Sequence, residues 1–180
     1  MTPSRRGSRR VLHNGLEQPG AILICPYVLE RTVAVLSESG MAGSPHEGVV
    51  YWIGPRGLGQ RIVTTCVAPG ARTTYGSFDT SSASNAQVVV FLAEAGLEML
   101  GQVHSHPGKM VDHSIGDDER AFMPYEGYFS IVVPHFGSRG MLPITRCGVH
   151  VFENGQFRRL RDSEVNTGFH ILPGFKDLRR

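Results

Sequence analysis

The stretch Gln102-Val-His-Ser-His-Pro-Gly-Lys-Met-Val-Asp-His-Ser-Ile-Gly-Asp-Asp118 decides how the rest of the chain is interpreted. It begins at the end of an apolar run. In an extended strand His104 and His106 project from the same face, because side chains alternate between the two faces. Pro107 and Gly108 end the strand, since proline donates no ladder hydrogen bond and glycine accommodates a turn. The stretch therefore predicts a strand that presents two imidazoles, followed by a loop.

Beyond the loop, Ser114 is a suitable N-cap for a helix, and Asp117 follows in the first turn. The Asp117 side chain would lean back toward the histidines, so two imidazoles and one carboxylate converge. Three ligands of this kind leave one position of a tetrahedral zinc ion for water, as in catalytic zinc sites. Zinc lowers the pKa of that water from about 15.7 toward 7 and polarises a carbonyl group. We therefore predict a catalytic Zn²⁺ site formed by His104, His106 and Asp117.

The same spacing has a purely structural interpretation. Ser114 and Asp117 match a capping box, and acidic residues in a first turn complement the helix dipole without any metal. Capping does not explain two histidines on one face at the end of an apolar strand. The combined pattern therefore favours the metal site.

A family resemblance follows from these residues. The sequence His104-Ser105-His106-Pro107, with Ser114 and Asp117, resembles the signature of the JAMM (MPN+) zinc metalloproteases. That signature expects a glutamate on an upstream strand, for which Glu47 is the candidate. The sequence around Glu47 is similar to small prokaryotic JAB-domain peptidases encoded beside E1-like and E2-like enzymes of ubiquitin-type conjugation. The resemblance covers roughly residues 20–160.

Glu47 begins a run rich in β-forming residues that extends to Ile53. Taken alone, it could be an ordinary surface glutamate at a strand end. With the downstream histidines, we interpret it as the general base, and Ser114 as the group that helps to stabilise the oxyanion. His46 would point to the opposite face and is not counted as a ligand.

The resemblance also implies a substrate. Its members cleave after the C-terminal glycines of ubiquitin or ubiquitin-like proteins, so we expect the C-terminal tail of a ubiquitin-like protein, deconjugated or processed from a precursor. A bacterial conjugation or antiphage defence system would supply E1-like and E2-like partners. One alternative is a peptidase that releases an amino acid such as cysteine from a sulfur-carrier protein. Another is an inactive MPN-type scaffold, which absence of zinc from the purified protein would favour.

Composition excludes two classes of partner. The 180 residues fit one domain with a real core. No apolar run approaches the roughly 18 residues of a membrane helix, so we predict no membrane partner. The net charge is only +2, and the arginines are not interleaved with aromatic residues, so we predict no nucleic-acid partner. The pattern does not predict an oligomeric state.

The termini and cysteines complete the domain prediction. Residues 1–19 are polar and arginine-rich, which predicts a flexible basic segment, and residues 20–180 would form the JAMM/MPN-like metallopeptidase domain. The arginines near the start are not followed by the apolar core of an export signal. Cys25, Cys66 and Cys147 are odd in number and lie in apolar contexts, which predicts free thiols and a cytoplasmic location.

The predicted fold is a mixed α/β (α+β) single domain with a curved β-sheet flanked by helices, and the resemblance implies a cytidine-deaminase-like architecture. Polar and small residues from Gly70 to Asn85 predict an exposed, mobile loop that could line a substrate groove. Asn154-Gly155 predicts a hairpin turn. The remaining predicted elements are strands at 21–25 and 128–133, helices at 27–39, 86–97 and 114–123, and a hairpin of 47–53 with 61–68.

Overall fold

The computed structural model describes residues 20–41, 43, 45–174 and 176–179, so the predicted basic segment 1–19 lies outside the described residues. The helices are α1 (Pro26–Met41), α2 (Ser82–Ala95), α3 (Ile115–Glu119) and α4 (Asp162–Gly168). The strands are β1 (Ile22–Ile24), β2 (Val49–Pro55), β3 (Arg61–Val63), β4 (Thr65–Val67), β5 (Ala71–Thr74), β6 (Ser77–Thr80), β7 (Leu97–Ser105), β8 (Phe129–Val133), β9 (Gly148–Glu153), β10 (Gln156–Arg159) and β11 (Phe169–Ile171). Two 3₁₀ turns span His135–Gly137 and Ile144–Arg146.

A central sheet of six strands organises the fold, in the order β10-β9-β8-β7-β2-β4. Strand β7 lies inside it, antiparallel to β2 and parallel to β8. Strands β11, β1 and β3 form a separate parallel sheet, and β5 and β6 form a two-stranded hairpin. The predicted mixed α/β domain with helices flanking a sheet is confirmed.

Both faces of the central sheet are buried along β2. Val50 and Trp52 face the core cluster shared with α1, where Trp52 Nε1 donates to Thr32 Oγ1 at 2.8 Å. Val49 and Tyr51 face the other cluster, which includes residues of α2 and β6. A strand that is buried on both faces usually has an uninterrupted run of apolar residues, as β2 has from Val49 to Ile53.

The two long helices end within two residues of the predicted positions, and α1 begins one residue early, whereas α2 begins at Ser82, four residues early. Pro26 occupies the first position of α1, where its missing N–H costs nothing. Ser81 caps α2 by accepting a hydrogen bond from Ser84 N at 3.2 Å. Gly96 ends α2 in the left-handed conformation at φ 65°, which glycine adopts without strain. Among the described residues, no helix combines the length and the apolar character that crossing a membrane requires.

The prediction of an exposed, mobile loop from Gly70 to Asn85 was wrong. This segment contains the β5–β6 hairpin and the first turn of α2. Phe78 is 4% exposed and belongs to the core cluster under α2. One buried aromatic residue anchors a hairpin whose other residues are mostly polar or small, which composition alone did not reveal.

Two other predicted elements differ in their boundaries. The run 61–68 divides between two sheets, because β3 pairs with β1 and only β4 forms the predicted hairpin with β2. Helix α3 ends at Glu119 rather than near Met123. Met123 precedes Pro124, which disfavours helical backbone there, and has φ 54°. The Asn154-Gly155 hairpin is confirmed, with both residues at positive φ.

Candidate metal centre

The pairing of β2 with β7 brings Glu47 to the histidines. Val49 lies opposite His104 in the antiparallel register. Ser105 N then donates to Gly48 O at 3.0 Å, and Gly48 N donates to Ser105 Oγ at 3.0 Å. One residue further, this register sets Glu47 opposite His106. Glu47 precedes the strand that we predicted it to begin, and its backbone N donates to Thr74 O of β5 at 2.8 Å.

Three predicted ligands converge at the end of β7. His104 Nε2 lies 3.3 Å from Asp117 Oδ1, and His106 Nε2 lies 3.4 Å from Asp117 Oδ2. One ligand atom from each residue lies within 4.8 Å of the other two. Asp117 and His104 are buried. The arrangement is compact enough for one metal ion to contact all three side chains.

Helix α3 orients the carboxylate through a capping box. Ser114 N donates to Asp117 Oδ2 at 2.7 Å, and Asp117 N donates to Ser114 Oγ at 3.2 Å. The structural and the metal interpretations of this spacing therefore hold together, because the cap fixes the carboxylate that faces the imidazoles. Ser114 lies beside the ligands, and its oxyanion role stays a prediction.

The ring nitrogens fit a metal ion. Within the described residues, neither Nδ1 nor Nε2 of the buried His104 forms a hydrogen bond of good geometry, although Nε2 lies 3.3 Å from Asp117 Oδ1. A buried polar atom left unpaired costs roughly 1–3 kcal/mol, so a cation beside Nε2 would relieve a real penalty. His106 Nδ1 lies 3.2 Å from Met110 O. Donation to that carbonyl leaves Nε2 with the lone pair that a metal needs. Two imidazoles and a carboxylate suit zinc and other divalent ions of the first transition row.

Burial and neighbouring charges prepare these groups for proton and metal chemistry. Burial raises the pKa of Glu47 to about 7, with His106 opposing and Asp117 reinforcing the shift. Burial also lowers the pKa of His104 despite the nearby Asp117, so this imidazole is neutral at pH 7. Burial would raise the pKa of Asp117, but the two imidazoles and the Ser114 N–H outweigh it and hold that pKa far below its usual value. Asp117 is thus ionised, and Glu47 can exchange a proton near neutrality.

His106 differs from His104. Burial alone would lower its pKa, but Asp117 and Glu47 outweigh burial and raise it. The metal-free protein therefore holds a proton on His106 more tightly than an ordinary histidine would. Because coordination needs the neutral ring, metal binding at this site releases protons.

Two histidines that the sequence analysis did not single out lie beside the ligands. The His113 and His150 rings stack at 3.8 Å between centroids, and His113 lies 5.9 Å from His104. His113 Nδ1 bonds Asp118 Oδ1 at 2.6 Å, and its Nε2 bonds Ser130 Oγ at 3.0 Å. Burial lowers the pKa of His150 to about 3. A histidine directly before a helix N-cap was the available signal for His113, while nothing in the sequence distinguished His150.

The β5–β6 hairpin forms one wall of the site. The Phe78 ring lies 5.0 Å from the His104 ring, and Tyr75 at the hairpin turn contacts Phe136 at 5.7 Å between centroids. Phe136 N in turn donates to His106 O at 2.8 Å. His46, which was not counted as a ligand, bonds Thr73 Oγ1 of this hairpin at 2.8 Å.

The cysteines lie outside this chemistry. Cys25, Cys66 and Cys147 are free thiols, as predicted. Burial raises the pKa of Cys147 to about 12 and also raises that of Cys66, and a thiol with a raised pKa is a poor nucleophile.

Sequence comparison gives one curated relative with a descriptive name. The chain is 34% identical over 95 residues to the probable metalloprotease y4jG of Sinorhizobium fredii. The match covers 51% of this chain and 58% of that protein. No protein-family model matches the chain.

Structural comparison shows that the chain shares its fold with two proteins of known structure. A protein of Desulfitobacterium hafniense aligns with a TM-score of 0.59 at 18% identity, over 84% of this chain and 91% of that one. A protein of Salinibacter ruber aligns with a TM-score of 0.51 at 18% identity, over 77% and 88%. A JAB1/MPN domain protein of Archaeoglobus fulgidus gives a TM-score of 0.44, too low to add to the comparison.

Proposed function

We propose that this chain, which carries a JAMM/MPN-like metalloprotease domain, is a zinc-dependent peptidase or isopeptidase whose ion is held by His104, His106 and Asp117. The observation that carries the proposal is the placement of Glu47 beside a compact histidine, histidine and aspartate ligand set by the β2–β7 register. The probable-metalloprotease relative supports the same reaction class.

Zn²⁺, when bound, would supply Lewis acidity toward a carbonyl oxygen and lower the pKa of water. The residues of the chain move the protons. The Glu47 carboxylate accepts a proton from the attacking water and then delivers it to the leaving amine. A pKa of about 7 suits both steps, because general acid–base catalysis is most effective near the working pH. The Ser114 hydroxyl donates to the developing oxyanion.

The substrate that we propose is the extended C-terminal tail of a ubiquitin-like protein, in a bacterial conjugation or antiphage defence system of the cytoplasm with E1-like and E2-like enzymes. Among the described residues, β5 and β6 form a sheet of only two strands beside the ligands. A glycine-rich tail offers few side chains to grip, so main-chain pairing with such a hairpin is a suitable way to hold it.

The test combines metal content with turnover. We expect the purified protein to contain about one zinc ion per chain and to cleave a ubiquitin-like protein fused through its C-terminus to a reporter. Glu47→Gln should retain the zinc and lose turnover by about 10²- to 10⁴-fold, the usual contribution of a general base. Glu94→Gln, an exposed glutamate of α2, is the matched control.

Two outcomes would contradict the proposal. Full activity of Glu47→Gln would refute the role of Glu47. A folded chain that binds no zinc at micromolar concentration would favour an inactive scaffold. Release of a C-terminal amino acid from a sulfur-carrier protein, with no cleavage of the ubiquitin-like fusion, would replace the substrate and keep the chemistry.

A further inference from the structure

A cationic cleft lies behind the loop that follows His106. Its volume is about 400 Å³, and it is lined by Lys109, Pro134, His135, Arg139, Gly140 and Arg146. The three cationic side chains come from three separate segments, and each is exposed. Within the described part of the chain, none of the three forms an ion pair with a carboxylate. The cleft therefore presents three cationic side chains without an ion-pair partner in that part of the chain, and Glu30 lines the adjoining groove together with Arg139.

The cleft shares a wall with the loop that follows His106. His135 N donates to Gly108 O at 2.9 Å, and Phe136 N donates to His106 O at 2.8 Å. His135 and Phe136 both have positive φ, at 55° and 52°. Non-glycine residues rarely adopt this conformation, and when they do, surrounding contacts hold them there. These two bonds fix the cleft relative to the zinc ligand His106.

We propose that this cleft binds an acidic segment on the body of the protein substrate, away from the tail that enters the catalytic site. The inference rests on the proposed peptidase function and adds a recognition surface to it. Carboxylates spread along a polypeptide complement cations that are spread around a rim.

The backbone argues for carboxylates on a protein rather than a free phosphate. Phosphate sites usually offer converging backbone N–H groups. Here the N–H groups of His135, Gly140 and Arg146 already donate to Gly108 O, Gly137 O and Pro143 O. The cleft instead relies on long, exposed side chains.

A neighbouring apolar groove also favours a protein partner. Its volume is about 470 Å³, and it shares Arg139 and Gly140 with the cationic cleft. Leu29, Val33 and Leu142 line it, and Leu142 is 47% exposed. Apolar area next to charged rim groups is the usual composition of a protein interface.

The experiment measures binding without turnover. The probe is a fluorescein-labelled peptide of alternating glutamate and leucine, titrated by anisotropy against zinc-loaded protein carrying Glu47→Gln. Adding Lys109→Glu, Arg139→Glu and Arg146→Glu together should weaken binding by about tenfold or more. The three glutamine substitutions at the same positions should give a smaller loss, and higher salt should weaken the parent protein's binding.

A matched triple, Arg31→Glu, Arg56→Glu and Lys176→Glu, makes the same charge change at exposed positions outside the cleft. It should change binding by less than about threefold, because distant surface charges are screened. Equal weakening by both triples would overturn the inference, since net charge alone would then explain binding. Complete competition by inorganic phosphate at low millimolar concentration would also overturn it, in favour of a small-anion site.

The same variants separate this inference from the proposed function. If the chain with native Glu47 cleaves a ubiquitin-like fusion and the cleft triple binds and cleaves equally well, only the cleft assignment fails. If the cleft binds the peptide but the chain cleaves neither a ubiquitin-like fusion nor a sulfur-carrier protein, the peptidase function fails.

Discussion

Ser105 holds Gly48 through two hydrogen bonds, although the two residues lie 57 positions apart in the chain. Gly48 N donates to Ser105 Oγ at 3.0 Å, and Ser105 N donates to Gly48 O at 3.0 Å. Ser105 stands between the two histidines that we propose as zinc ligands, and Gly48 follows the proposed general base. The pair therefore fixes the distance between the proton-handling group and the metal site.

Ser105→Ala should lower kcat by about 10- to 100-fold while zinc content stays unchanged, because Glu47 loses its alignment and the ligands do not. Ser84→Ala is the matched control. It removes a similar bond, from Gly70 N to Ser84 Oγ at 2.6 Å, away from the ligands. Both variants should lose about 1–3 kcal/mol of unfolding free energy, but only Ser105→Ala should lose kcat. Equal kcat in the two variants would rule out the alignment role.

Two substitutions can separate the capping role of Asp117 from its proposed role as a metal ligand. Asp117→Asn keeps an oxygen that can accept from Ser114 N and removes the charge, so α3 should persist while zinc affinity falls by about 100-fold or more. Ser114→Ala removes the cap and should cost about 1 kcal/mol of stability with zinc still bound. Zinc affinity is measured by metal titration, and stability by chemical denaturation, for both variants. Undiminished zinc affinity in Asp117→Asn would leave only the capping interpretation.

Glu47 makes the unfolding free energy of the metal-free protein depend on pH. Its folded-state pKa of about 7 lies above the ordinary glutamate value of 4.5, so the folded chain binds the extra proton. The stability this proton supplies is fully present below about pH 4.5 and is lost as the pH rises through 7. The difference corresponds to at most about 3 kcal/mol.

Glu47→Gln removes this titration. After chelation, the wild type should lose stability relative to the variant between pH 5 and pH 8, as measured by denaturant unfolding at each pH. The comparison cancels the titration of groups that Glu47 does not influence. His106, whose pKa Glu47 raises, also loses part of its shift in the variant, and this adds to the expected difference in the same direction. Parallel stability curves for the two proteins would show that Glu47 is not buried in the way described.

Gly148 of β9 packs closely against Val111, in the loop between His106 and Ser114. A Cβ atom at this position would lie 1.7 Å from Val111 O, so Gly148→Ala must push the loop between His106 and Ser114 away from β9. We expect a loss of about 1–3 kcal/mol or more in stability and weaker zinc binding. Gly59→Ala, with nothing within 4 Å of its added Cβ, should change neither property. Normal zinc affinity in Gly148→Ala would show that the loop adapts.

Much of the site could be predicted because its signals are local. Alternation along a strand sets His104 and His106 on one face, and a capping box sets Asp117 in a first turn, whatever else the chain does. The β5–β6 hairpin was missed because its anchor is the single residue Phe78. A composition of small and polar residues cannot report what one aromatic ring will pack against.

The kinds of candidate ligand, their spacing and the direction in which each side chain leaves its own element can be predicted from the sequence, because they depend on residue type and on backbone geometry over a few residues. Three relationships depend instead on how distant segments pack: the β2–β7 register beside Glu47, the stack of His113 on His150, and the cleft formed by Lys109, Arg139 and Arg146. Those relationships join segments far apart in the chain. They form only when both faces of the central sheet are buried at once, and that condition cannot be evaluated one segment at a time.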